Sequence, residues 1–133
     1  MEDYILSAIA SAIFLKVQYL KGTLSVYGCN DFKQRTYEHH DVNDYTMIRD
    51  NTRQCDLMVT EAGAKIFDYG TCSFITLEIK SERNNNGDRC YNFTGYITYF
   101  NSIYFGTIHK NRVIIYSTHS SKWYDFDLQK NKT

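Results

Sequence analysis

RQCDLMVT at residues 53–60 and FITLEIK at residues 74–80 are the two segments on which a fold prediction for this sequence depends. In the second segment aliphatic and polar residues alternate, and this two-residue period predicts a strand with one buried face. Glu78 and Lys80 then project from the polar face of that strand. In the first segment, Asp56 opens an apolar run that predicts a second strand beside the first. Two carboxylates and one ammonium at neighbouring strand ends are the groups that a divalent cation and a phosphate require.

These residues resemble the active-site signature of the PD-(D/E)XK nucleases, the restriction-endonuclease-like superfamily. That signature is an Asp, an interval, and then Glu-x-Lys at the end of an aliphatic strand, as in Asp56 and residues 78–80. Neighbouring segments are similar to the small MmcB-type branch of the family. They are RQCD at residues 53–56, EIKS at residues 78–81 and SIYFG at residues 102–106. The resemblance extends over residues 53–108.

The resemblance implies an α/β (α+β) fold, with an αβββαβ core, a mixed central sheet, flanking helices and an extra C-terminal strand or hairpin. It also implies hydrolysis of phosphodiester bonds, with Mg²⁺ or Mn²⁺ held by Asp56, Glu78 and the carbonyl of Ile79. Lys80 would orient or help deprotonate the attacking water, or stabilise charge at phosphorus. The interval before Glu78 is longer than in the compact family pattern. Asp68 therefore stays an alternative to Asp56 as the second metal carboxylate.

The same resemblance makes nucleic acid the expected partner, with DNA as the expected substrate. Arg53, Arg83 and Arg89 are the candidate contacts to the phosphate backbone. Small nucleases of this type often dimerise to cut two strands, so a homodimer is also an expectation. One alternative is a catalytically silent nuclease-fold protein, such as a phage or plasmid factor, that binds a host protein or a nucleic acid. Another is an unrelated α+β module that binds a ligand or partner through its Tyr-rich sheet.

Composition limits these interpretations. The chain has 133 residues, which fits a single domain over residues 1–133. Fifteen basic residues balance fifteen acidic ones, and this neutrality counts mildly against nucleic-acid binding, although a local basic patch suffices. The cysteines form no C-x-x-C pair, which favours free buried thiols in a reducing cytoplasm over a zinc ribbon. They are Cys29, Cys55, Cys72 and Cys90.

The periodicity of the remaining sequence predicts the other elements. Residues 4–20 have helical spacing and many small residues, which favours a helix packed closely against a sheet and too short in its uncharged part to cross a membrane. Residues 30–44, with adjacent His39 and His40, favour a polar loop or hairpin tip over a metal site. Residues 88–100 place apolar side chains at helical spacing after Asp88, a suitable N-cap. Further strands are predicted at residues 23–29, 45–48, 102–108, 112–118 and 123–128.

Overall fold

The computed structural model describes residues 1–18, 22–42, 45–60, 65–83, 86–87 and 89–130. These residues form one helix, α1 (Glu2–Gln18), and eleven strands. The strands are β1 (Gly22–Gly28), β2 (Lys33–Val42), β3 (Tyr45–Asp50), β4 (Cys55–Thr60), β5 (Lys65–Asp68), β6 (Ser73–Thr76), β7 (Glu78–Arg83), β8 (Arg89–Ile97), β9 (Ser102–His109), β10 (Arg112–Ser117) and β11 (Lys122–Lys130). The predicted N-cap Asp88 lies outside the described residues.

The strands form a closed antiparallel barrel. Each strand from β1 to β5 pairs with the strand that follows it in the sequence, β1 also pairs with β11, and β11 to β8 continue the sheet in reverse order. The ring of ten strands closes where Ile75 of β6 pairs with Ile97 of β8. Strand β7 continues β6 and pairs with the outer part of β8. The predicted αβββαβ core with a mixed sheet is therefore wrong, and so is the assignment to the PD-(D/E)XK superfamily.

Helix α1 fills the barrel. Every residue from 5 to 15 is buried, including the polar Ser7 and Ser11, so the helix has no solvent-facing side over these residues. A helix that is apolar around its whole circumference is stable only when it is surrounded by protein. At its first turn, Glu2 accepts hydrogen bonds from the hydroxyls of Ser117 (2.6 Å) and Tyr124 (2.5 Å). The prediction of a helix is confirmed, but it packs inside a barrel and not on one face of a sheet.

Five hairpins with the same turn geometry lie at one end of the barrel, which we call the turn end. They join β1 to β2, β3 to β4, β5 to β6, β8 to β9 and β10 to β11. In each, the residue before the second strand has a positive φ between 51° and 58°. These residues are Phe32, Gln54, Cys72, Asn101 and Ser121. The helix starts at this end, because Glu2 contacts Ser117 beside the last of these turns.

Two segments have a different structure from the predicted one. Residues 33–42 form a long strand, not a polar loop, because inward-facing Tyr37 and His39 are buried in the barrel. Residues 89–97 form a strand, not a helix, because the backbone of β8 must pass between β6 and β9 to close the ring. At this crossing a Cβ on Gly95 would lie 2.0 Å from the carbonyl oxygen of Thr76, so only glycine fits.

Two sequence predictions about the whole chain can also be compared with the structure. In the part of the chain that the structure describes, no helix combines the length and apolar character needed to cross a membrane. The four cysteines are free thiols, as predicted, but they are not buried. Cys72 is exposed, and the other three are half-buried.

Candidate functional site

The predicted catalytic pair Glu78 and Lys80 lies on the outer face of β7. Both side chains are largely exposed, at 67% and 75%, and the Lys80 Nζ lies 3.9 Å from Glu78 Oε1. Ile79 points to the other face and packs against the core. The alternation predicted for this segment is therefore confirmed, although Leu77 divides it into β6 and β7.

Asp56 does not lie beside this pair. Its carboxylate is on β4, 3.3 Å from Arg49 of the neighbouring strand. The register places Val59, Ile66 and Ile75 in one row across β4, β5 and β6. Asp56 lies three residues from this row on one side, and Glu78 lies three residues from it on the other. At about 3.3 Å per residue, the two carboxylates are separated by roughly 20 Å along the strands.

The alternative carboxylate, Asp68, faces the barrel interior and is fully buried. It accepts a hydrogen bond of 2.9 Å from Arg53 Nη1, and Arg53 Nε bonds the buried Asp50 at 2.7 Å. Arg53, predicted to contact phosphate, is thus held at the turn end between two carboxylates. Burial by itself would lower the pKa of Arg53, but these two carboxylates outweigh that effect and raise it. Among the described residues, no group of three or more His, Cys, Asp or Glu side chains could hold a metal ion.

Arg83 and Arg89, the other predicted phosphate contacts, do lie together. They are directly opposite each other on β7 and β8. Both are exposed at the end of the barrel away from the turns. This is the one pair of predicted nucleic-acid residues that the described structure brings side by side.

His39 is a buried titratable group that the sequence prediction placed in a loop. Its side chain points into the barrel, is 5% exposed, and neither ring nitrogen has a hydrogen-bond partner. Burial, with a smaller contribution from His40, lowers the pKa of His39 to about 4, and Asp41 opposes this shift weakly. The adjacent His40 points the other way, into solvent, because successive side chains of a strand alternate between its two faces.

We therefore expect acid to destabilise the barrel through His39. Because the folded-state pKa lies below the unfolded value, the unfolded chain binds the proton first as pH falls from 6.5 towards 4. The His39 contribution lowers the free energy of unfolding by roughly 3 kcal/mol over this range and levels off below it. Urea unfolding at several pH values should show a shallower acid loss in His39→Leu than in the wild type. His40→Leu is the control and should keep the wild-type slope; equal slopes in all three proteins would contradict the assignment.

A cluster of aromatic residues on the outer face of the barrel is the feature that sequence reasoning missed. Phe105, Tyr116 and Trp123 lie directly opposite one another on β9, β10 and β11. The rings of Phe105 and Tyr116 are stacked with centroids 5.2 Å apart, and Trp123 meets Tyr116 edge-on at 5.0 Å. Trp123 is 57% exposed, Phe105 is 40% exposed, and Ile103 beside them is 52% exposed. We call Ile103, Phe105, Tyr116 and Trp123 the aromatic surface.

The sequence contained a signal for this surface. In β9 and β11, Phe105 and Trp123 occupy the positions that alternate with the buried Tyr104 and Tyr124, so a period of two places them outside. Polar residues are typical of such positions when they face water. Large apolar side chains there indicate a contact surface, once the strands are known to be adjacent.

Comparison with known proteins gave no match: no protein-family model, curated protein or solved structure matches this chain.

Proposed function

We propose that this protein is a binding module that recognises a partner protein through its aromatic surface. The observation that carries the proposal is the row formed by Phe105, Tyr116 and Trp123 across three adjacent strands. Exposed Trp and Tyr side chains are the residues most enriched among energetically dominant interface contacts. A rigid sheet holds them in place before binding, so little side-chain entropy is lost when a partner packs on them.

The size of the aromatic surface suits the centre of an interface. Aromatic side chains have areas of about 150–250 Å², and the fractional exposures above leave roughly 300 Å² of apolar surface. A standard interface buries about 800 Å² on each partner. The aromatic surface would therefore form the apolar core of such an interface, with the polar residues around it as the rim.

The chemistry around the aromatic surface favours protein over nucleic acid. Exposed threonines lie around it: Thr94 on β8, Thr107 on β9 and Thr118 in the turn between β10 and β11. Thr94 and Thr107 alternate with inward-facing residues of their strands, so they lie on the outer face. Single-stranded nucleic acid requires a groove of cations that follows the phosphates between the stacked bases. Arg112, the nearest cation on β10, is already paired with Asp125. An uncharged, aromatic surface with a hydroxyl-bearing rim is instead suited to an apolar protein segment.

The interior of the barrel does not offer a competing ligand chamber at its centre. Small antiparallel barrels are either filled by side chains or hold a ligand in the lumen. Here the lumen contains α1, whose central residues Ile9, Ala10 and Ile13 are completely buried. Recognition by the described residues is therefore a matter of the outer surface and of the barrel ends.

Nuclease activity stays a prediction, and the geometry gives it little support, because Asp56 and Glu78 are far apart. Incubation with labelled single-stranded DNA, duplex DNA and RNA in Mg²⁺ or Mn²⁺ tests it directly. Cleavage that is lost in Glu78→Ala and Lys80→Ala would contradict the proposal of a binding module. An unchanged substrate is the result that we expect.

Selection of random displayed peptides against the full chain tests the proposed surface. We expect apolar peptides to be enriched whose affinity falls about 30-fold or more in Trp123→Ser, the loss of about 2 kcal/mol that marks a dominant contact. Phe74→Ser is the matched control, since Phe74 is similarly exposed, at 50% against 57% for Trp123, on the distant strand β6. Peptides that lose affinity equally in both variants, or that never enrich, would overturn the proposal. Self-association of the wild type, measured by sedimentation, tests whether a second copy can occupy the same surface.

A further inference from the structure

A row of three cations crosses the barrel end opposite the turns. Arg83 and Arg89 are directly opposite each other, and Tyr91 is opposite Ile108 on the next strand. Continuing that antiparallel register by two residues places Arg89 beside Lys110, in the turn after β9. We call Arg83, Arg89 and Lys110 the cationic row.

None of the ion pairs among the described residues involves the cationic row. Within the described ranges, neither Arg83, Arg89 nor Lys110 forms an ion pair or a side-chain hydrogen bond with another described residue. Like charges placed directly opposite each other on neighbouring strands are destabilising. By contrast, Arg112 and Arg49 on other strands each have a carboxylate partner. An anion bound at the row would remove this repulsion.

A cavity lies directly beneath the cationic row. It has a volume of about 230 Å³ and is lined by Arg89, Lys110 and three largely apolar side chains. Those three are Val17 in the last turn of α1, Tyr91 on β8 and Ile108 on β9. Tyr91 and Val17 also pack against the hydrophobic core, so the apolar floor is continuous with the barrel interior. The cavity is thus cationic at its rim and apolar at its base.

We propose that this cavity binds a small amphipathic anion, a carboxylate or phosphate monoester carried on a short hydrocarbon chain. The anionic group pairs with Arg89 and Lys110, and Arg83 adds a further positive charge at the rim. The hydrocarbon lies on Val17, Tyr91 and Ile108 and leaves water. At about 30 Å³ for each water-sized group, the cavity accommodates roughly eight non-hydrogen atoms. This site is separate from the aromatic surface and does not depend on the function proposed for it.

The chemistry favours a free molecule over a membrane surface or a nucleic acid. A phosphate backbone needs an extended cationic track, whereas this row has three residues and one apolar cavity. An anionic bilayer binds clusters of four to eight basic residues with no need for an enclosed base. The apolar base at Val17, Tyr91 and Ile108 distinguishes this site from both.

Titration of the isotope-labelled full chain tests the proposal, with amide chemical shifts at Arg89, Tyr91, Ile108 and Lys110 as the readout. The probes are octanoate, octyl phosphate, octanol and inorganic phosphate, in a phosphate-free buffer near neutral pH. From the concentration dependence of these shifts, we expect both amphipathic anions to bind at least about tenfold more tightly than octanol or inorganic phosphate. Stronger binding of the anions than of octanol shows that the negative charge contributes to affinity. Stronger binding of the amphipathic anions than of inorganic phosphate shows that the apolar base of the cavity contributes as well.

Charge-neutral variants separate a ligand site from general attraction. We expect Arg89→Gln and Lys110→Gln to weaken octanoate binding about fivefold or more. Lys122→Gln is the control, because it neutralises an exposed lysine at the turn end, and it should leave octanoate binding unchanged. Equal losses in all three variants, or octanol binding as tight as octanoate binding, would overturn the proposal. A protein that binds vesicles containing phosphatidic acid but does not bind octanoate would also overturn the proposal, since that result identifies a membrane-binding surface.

Discussion

Replacing Arg53 with methionine is expected to cost about 3–5 kcal/mol of the free energy of unfolding. The change leaves the carboxylates of Asp50 and Asp68 inside the barrel, where they are 1% and 0% exposed, without their cation. Each carboxylate also accepts hydrogen bonds from the adjoining turn, Asp50 from the amides of Thr52 and Arg53, and Asp68 from Gly70. The loss of Arg53 therefore affects two hairpins at once, and chemical denaturation measures it.

A surface ion pair of the same composition provides the control. Arg49 lies 3.3 Å from Asp56, but these side chains are 37% and 43% exposed. Exposed pairs contribute less than about 1 kcal/mol, so Arg49→Met should change the midpoint of unfolding little. Arg53→Lys keeps the charge and loses the planar, two-sided hydrogen bonding, so we expect an intermediate loss of about 1–2 kcal/mol. Equal stabilities of Arg53→Met and Arg49→Met would show that the buried ion pairs of Arg53 with Asp50 and Asp68 do not stabilise the barrel.

Gly106→Ala is expected to destabilise the barrel by about 3 kcal/mol or more. A Cβ at this position would lie 1.9 Å from the carbonyl oxygen of Ile114 and 2.9 Å from the ring of Phe93. The first of these atoms belongs to the backbone of β10, so relief requires the two strands to separate locally. Glycine is needed here for close approach between strands, and its φ is not in the left-handed region. Thermal and urea unfolding of the purified variant would measure the loss.

Gly87→Ala separates steric overlap from backbone strain. Gly87 has a φ of 81° and nothing within 4 Å of the position of an added Cβ. Alanine there meets only the conformational penalty of the left-handed region, about 1–2 kcal/mol. A loss in Gly106→Ala no larger than that in Gly87→Ala would contradict the close approach of β9 and β10.

Much of the local structure could be predicted from the sequence. The predicted helix over residues 4–20 agrees with α1 up to Gln18, and residues 19 and 20 lie outside the described residues. The strands predicted at residues 23–29, 45–48, 102–108, 112–118 and 123–128 are present. These segments are strongly periodic, and local side-chain patterns specify them. Two segments were assigned wrongly: residues 33–42, predicted as a polar loop, form β2, and residues 89–97, predicted as part of a helix, form β8. In β8, apolar residues at positions 93, 97 and 100 made a helix and a strand both compatible with the sequence. The choice between the two depended on pairing partners distant in sequence, β6 and β9.

The structure does not bring Asp56 and Glu78 together, for a related reason. Asp56 and Glu78-Ile79-Lys80 have the order of a nuclease signature, but order along the chain does not fix distance in space. The antiparallel register of β4, β5 and β6 places the carboxylates about 20 Å apart. Conversely, Phe105 and Trp123 are eighteen positions apart in the sequence and become parts of one surface only because β10 lies between their strands.

The sequence by itself determined the helix over most of α1 and which residues of the predicted strands share a face. Those features follow from periods of 3.6 and 2 residues, which depend on neighbouring residues alone. Only the tertiary structure decided that the strands close into a ring, that α1 lies inside that ring, and that Arg53 is buried between Asp50 and Asp68. Ring closure is a set of long-range backbone pairings, and a local pattern does not specify which strand edges meet. The aromatic surface and the cationic row are both products of those pairings.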